Sequence, residues 1–95
     1  MQREQIFQRC AGEVASALKI NPDQIAPASF LVGDLGAESI DLVDLTFRLE
    51  RAFDIEIPEG DLFEGTDPTA DQIRMHHVVD YLENALNSSA PGNQP

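Results

Sequence analysis

Ser39 is the side chain in this 95-residue chain whose setting is most open to chemistry. It follows Glu38, lies in a run rich in acids (Asp34, Glu38, Asp41, Asp44), and stands where an amphipathic pattern begins. A serine there can cap a helix, because its hydroxyl accepts from a backbone N–H that has no partner within the helix. It can equally be esterified by a phosphate group, since exposed N–H groups and the helix dipole favour an anion at that end. Residue pattern alone leaves both open. The other reactive types form no set. His76 and His77 are adjacent, so on a helix they point about 100° apart and share a metal poorly. Cys10 falls on an apolar stripe and reads as a small core residue. Asp23, Asp34 and Glu38 lack the spacing of a calcium loop. Gly33 and Gly36 serve a turn rather than a phosphate cradle. No nucleophile, base and acid assemble into a catalytic group, and no metal site is expected.

The elements that must position Ser39 follow from periodicity. Ile6, Cys10, Val14 and Leu18 recur every fourth residue, predicting an amphipathic helix over 3–19 that ends at Asn21-Pro22-Asp23. Residues 21–38 read as a long connection, with Ile25, Phe30, Leu31 and Leu35 pinned into the core. A second helix is expected from about Ser39 to Phe53. Ile55-Glu56-Ile57-Pro58 stops it, because the residue before a proline avoids helical geometry. One helical turn around Leu62 and Phe63 fits 59–64, Asp67 and Pro68 could start a helix, and a last helix fits 70–86. The expectation is one all-α domain over 1–86, a small bundle with a long ordered loop between its first two helices, and a disordered tail over 87–95.

The second helix carries two stripes. Leu42, Leu45, Leu49 and Phe53 share one side. Ile40, Val43 and Phe47 share nearly the opposite side, and Asp41, Asp44, Arg48 and Arg51 fill a flank. One stripe suffices for a core. The other is covered by the loop or the last helix, or it is an exposed patch suited to transient docking.

Composition narrows the partners. Seventeen acidic residues against six basic ones give a net charge of -11. That balance disfavours nucleic acid and anionic membrane and favours partners with basic patches. A single cysteine excludes an internal disulfide. No signal peptide or bilayer-spanning run is read, so a cytoplasmic monomer without membrane insertion is expected.

The run Asp34-Leu35-Gly36-Ala37-Glu38-Ser39-Ile40-Asp41-Leu42-Val43-Asp44-Leu45 resembles the signature of the acyl carrier protein family, D-L-G-A-D-S-L-D-x-V-E-L. The likeness continues through Leu49-Glu50-Arg51-Ala52-Phe53 and Ile55-Glu56-Ile57-Pro58, and returns at Val79-Asp80-Tyr81-Leu82. The resemblance implies a four-helix bundle, three main helices plus a short third one. It implies phosphopantetheine, installed from coenzyme A by a phosphopantetheinyl transferase, as a phosphodiester on Ser39. The arm would hold acyl groups as thioesters and present them to enzymes of fatty-acid, lipid or polyketide-type synthesis, with no catalysis by the carrier. By motif position, Glu38, Asp41, Asp44 and Glu50, with Ile40, Val43 and Phe47, would dock on acyl-transferring and chain-extending enzymes. Leu45, Leu49, Leu62 and Phe63 would line an acyl pocket. The alternatives are an aminoacyl or peptidyl carrier, and a helical adaptor with no prosthetic group.

Departures from the family pattern suggest a specialised member. Glu38 replaces the usual Asp and caps a helix less well. Asp44 and Arg48 are spaced to pair. The segment from Gly60 to Arg74 is longer than in the common carrier.

Overall fold

The computed structural model describes residues 2–58, 61–63 and 70–88. It is all-helical, with α1 (Arg3–Leu18), α2 (Ser39–Phe53) and α3 (Met75–Ser88). Single 3-10 turns occur at Pro22–Gln24 and Ala70–Gln72. Among the described residues there is no strand, only an isolated bridge between Phe30 and Arg74. None of the described helices is long and apolar enough to cross a membrane.

α1 packs against both other helices. It buries Ile6, Cys10 and Val14 of the stripe that the four-residue spacing predicts, together with Ala11 and Ala15, while Leu18 is only half-buried. It stops at Lys19, whose left-handed backbone (φ 60°) turns its N–H to the Ala15 carbonyl. That is earlier than Asn21-Pro22-Asp23. Asn21 instead caps the short turn, its side chain accepting from the Asp23 N–H at 2.9 Å. Arg3 ties α1 to α3 through Asp80 (2.7 Å) and Glu83 (2.9 Å). These exposed pairs add little to stability, because water screens them.

α2 buries Leu42, Leu45, Leu49 and Phe53. Each such side chain contributes about 1.5–3 kcal/mol when fully removed from water. The helix ends where Asp54 adopts a left-handed conformation (φ 54°) and its N–H returns to the Glu50 carbonyl.

The connection over residues 19–38 is fixed by backbone bonds to the start of α3. Leu31 N–H donates to the Ile73 carbonyl at 3.1 Å. Met75 and His76 N–H donate to the Ser29 and Pro27 carbonyls, both at 2.9 Å. Ile25 and Leu31 are buried, while Phe30 and Leu35 are half-buried. Gly36 has φ 78°, a conformation that a Cβ would strain. The turn then delivers the chain to Glu38.

The same bonds correct the expected last helix. It starts at Met75 rather than 70, because the Ile73 carbonyl and the Met75 and His76 N–H groups are engaged by the loop. His77 completes the start, with Nδ1 accepting from Arg74 N–H at 2.9 Å. α3 also runs to Ser88, two residues into the segment expected as tail. Residues 89–95 lie outside the described residues, as do Asp67 and Pro68. Of the turn expected over 59–64, only 61–63 are described, and they form bends rather than a helix.

Candidate attachment site and cleft

Ser39 is the first residue of α2, and Glu38 is its N-cap. Asp41 reaches back one turn, its carboxylate accepting from Glu38 N–H at 2.9 Å. Ser39 is therefore not the cap that a serine at a helix start suggests. Its side chain is exposed, and no hydrogen bond engages its hydroxyl among the described residues. The other serines with described side chains are engaged. Ser16 Oγ accepts from Arg48 Nη1 at 3.2 Å, and Ser29 Oγ from Ala26 N–H at 3.0 Å. A free hydroxyl on the first turn of a helix fits a phosphodiester, because N–H groups without intrahelical partners and the helix dipole can meet its charge.

A cleft of about 370 Å³ runs along α2 from Ser39. That volume lies in the range of ~300–1,000 Å³ common for small-ligand sites. Ser39, Leu42, Val43, Thr46, Phe47 and Glu50 form its helical side. Ile57, Pro58, Leu62 and Phe63 form the far wall. At about 1.5 Å rise per residue, Ser39 to Glu50 spans roughly 16 Å of helix. Ser39, Thr46 and Glu50 lie on the arc between the buried and exposed stripes, which the two-stripe reading left unassigned, and Leu42, Val43 and Phe47 flank it from the stripes themselves. Thr46, on this arc, satisfies its hydroxyl by donating to the Leu42 carbonyl at 3.0 Å.

The acyl-pocket residues divide. Leu62 and Phe63 are on the wall. Leu45 and Leu49 are not, being 3% and 0% exposed in the core. Counting by about 100° per residue turns them past Leu42, away from the cleft. Leu42, Val43, Thr46 and Ile57 line the cleft beside Leu62 and Phe63.

The docking residues also divide. Ile40, Val43 and Phe47 are 72%, 51% and 58% exposed, so no described element covers them. Glu38 is exposed, its carboxylate facing the Asp41 N–H in a reciprocal capping box, and the other acids hold internal partners too. The Asp41 carboxylate accepts from Glu38 N–H. Asp44 pairs with Arg48 at 2.8 Å, as their spacing predicts. Arg48 also approaches Glu13 of α1 at 3.8 Å, and these acids hold its guanidinium above its ordinary range, the Asp44 hydrogen bond foremost. Glu50 is half-buried, and Oε2 accepts from Ile57 N–H at 2.7 Å. Spacing along one helix cannot reveal that last bond, because Ile57 lies beyond the reversal at Asp54.

Two more groups shape the site. Tyr81 donates to Asp61 Oδ2 at 2.6 Å, joining α3 to the segment that carries Leu62 and Phe63. Burial, then that bond, pushes the Tyr81 phenol up to about 12. Burial likewise pushes the Cys10 thiol up to about 12, consistent with a packing role. Among the described residues, no cluster of His, Cys, Asp and Glu could hold a metal ion.

Comparison with known proteins gives the class first. The family model described as a phosphopantetheine attachment site matches residues 9–73, which include Ser39, all of α2 and every residue lining the cleft. This is a phosphopantetheine-bearing carrier domain, and its prosthetic group is a covalently attached 4′-phosphopantetheine. An acyl carrier protein of Campylobacter lari is 34% identical over 79 residues, covering 83% of this chain and 94% of that protein. The chain belongs to the acyl carrier protein family, whose members are generally non-catalytic.

Proposed function

We propose that this chain carries acyl groups on a phosphopantetheine arm joined to Ser39 and presents them to acyl-transferring and chain-extending enzymes of fatty-acid, lipid or polyketide-type synthesis. The observation that carries the reading is the free, exposed Ser39 hydroxyl on the first turn of α2, at one end of an apolar-walled cleft. The attached group supplies a thiol on a long tether. The protein's own residues supply the rest. The N-terminus of α2 receives the phosphate charge. Leu42, Val43, Ile57, Leu62 and Phe63 offer an apolar surface on which a hydrocarbon chain loses contact with water. Ile40, Val43 and Phe47 offer an exposed stripe to partners, with the exposed carboxylate of Glu38 beside it to meet a basic patch.

The partners in this reading are a phosphopantetheinyl transferase, drawing on coenzyme A, and enzymes with basic docking patches. The Asp44–Arg48 pair supports a specialised carrier, because it mutes one acidic charge facing those patches.

Loading from acyl-coenzyme A donors tests the function. With a phosphopantetheinyl transferase and hexanoyl-coenzyme A, intact mass should rise by one hexanoyl-phosphopantetheine. Protein isolated from its host should carry acyl species. Aminoacyl or peptidyl species there would replace the reading with the other kind of carrier, and absence of any mass gain would leave a helical adaptor.

A further inference from the structure

Glu50 occupies a motif position that implies a docking acid, yet the fold uses it differently. Its backbone carbonyl accepts from Asp54 N–H, which ends α2, and from Ile55 N–H at 3.1 Å. Its carboxylate accepts from Ile57 N–H at 2.7 Å. One residue thus holds the chain reversal at three successive points. Ile57 is 4% exposed, and Pro58 after it has no N–H to offer. Ile57 and Pro58 open the far wall of the cleft, while Glu50 stands on the helical side. The Glu50–Ile57 bond therefore spans from one side to the other.

We propose that Glu50 is a positioning residue that fixes the width of the cleft, and that it acts as a hydrogen-bond acceptor rather than through its charge. The role rests on the reading that an apolar acyl chain carried from Ser39 shelters in this cleft. A docking acid must be charged to meet a basic partner. A strut needs only an oxygen aimed at Ile57 N–H, which a glutamine also provides. Removing the acceptor leaves a nearly buried N–H without a partner beside an apolar wall, a cost that the chain avoids by moving the wall.

The test compares wild type, Glu50→Gln and Glu50→Ala. In the unloaded proteins, hydrogen exchange at Ile57 N–H is expected to be slow in wild type and Glu50→Gln, and about tenfold or more faster in Glu50→Ala. Each protein is then loaded with acetyl, hexanoyl or decanoyl groups, and thioester cleavage by hydroxylamine is timed. Wild type and Glu50→Gln are expected to protect hexanoyl and decanoyl several-fold relative to acetyl. Glu50→Ala is expected to lose that protection, with acetyl cleaved equally fast in all three. A general loss of fold would show in circular dichroism, and Glu50→Gln still decides the case. Glu50→Gln matching Glu50→Ala, or Glu50→Ala protecting like wild type, overturns the proposal. A wild type that loads but protects no chain length overturns both sheltering and strut. Failure to load at all overturns the carrier reading itself.

Discussion

Replacing Phe47 with serine tests whether the exposed stripe of α2 serves docking while the buried stripe serves the core. Phe47 is 58% exposed, so folding realises less than half of its burial. Full burial of such a side chain is worth about 1.5–3 kcal/mol, which leaves about 1 kcal/mol for Phe47→Ser to lose. Leu49 is 0% exposed, and Leu49→Ala should cost about 2–5 kcal/mol through lost transfer energy and the cavity left behind. An aromatic at the centre of an interface typically contributes about 2 kcal/mol or more, roughly 30-fold in affinity. Urea denaturation gives the stability of each variant, and kcat/KM for loading by a phosphopantetheinyl transferase reports docking. Phe47→Ser should stay within about 1 kcal/mol of wild type while kcat/KM falls roughly 30-fold, mainly through KM. Leu49→Ala should lose stability and, at temperatures where it is folded, keep kcat/KM. Greater destabilisation in Phe47→Ser than in Leu49→Ala, or unchanged loading in Phe47→Ser, would refute the assignment of the two stripes.

His77 should make stability fall in mild acid. Burial, then neighbouring His76 and Arg74, lowers its pKa below the ordinary 6.5, while its Nδ1 must stay unprotonated to accept from Arg74 N–H. The folded state therefore binds fewer protons than the unfolded one. Stability is full above about 6.5 and declines as pH falls through that value toward the lower folded pKa. Urea midpoints between neutral pH and mild acid should show this slope, reduced in His77→Gln. A slope unchanged by that substitution would count against the cap. Cys10 is 0% exposed and burial pushes its thiol up to about 12, so very little of it is thiolate at pH 8. An aromatic disulfide reagent should label it no faster than the protein opens. Labelling at the rate of the urea-unfolded chain would contradict its burial.

Periodicity along one helix was legible in the sequence wherever the helix's own faces decide the outcome. The buried stripe of α1, the buried and exposed stripes of α2 and the Asp44–Arg48 pair follow from counting residues around an axis. What faces each stripe does not follow. Leu45 and Leu49 share the core stripe with Leu42, but only Leu42 lies at its edge toward the cleft, because the wall from Ile57 to Phe63 covers that side alone. The start of α3 was hidden for a similar reason. Its boundary is set by backbone bonds from residues 27–31, distant in the chain, whereas local pattern allowed a helix from residue 70. Glu50 and His77 look like ordinary surface positions by type and spacing. Their partners, Ile57 N–H and Arg74 N–H, are backbone groups that carry no residue signature.

Ser39 is the point on which the account stands. Wild type, Ser39→Ala and Ser29→Ala can be incubated with a phosphopantetheinyl transferase and coenzyme A and weighed intact. Ser29 is the control, since its hydroxyl is already bonded to Ala26 N–H. Wild type and Ser29→Ala should each gain one phosphopantetheine, and fragmentation should place it on the peptide containing Ser39, while Ser39→Ala gains nothing. A full mass gain in Ser39→Ala, or a modified peptide that excludes residue 39, would contradict attachment at α2's first residue.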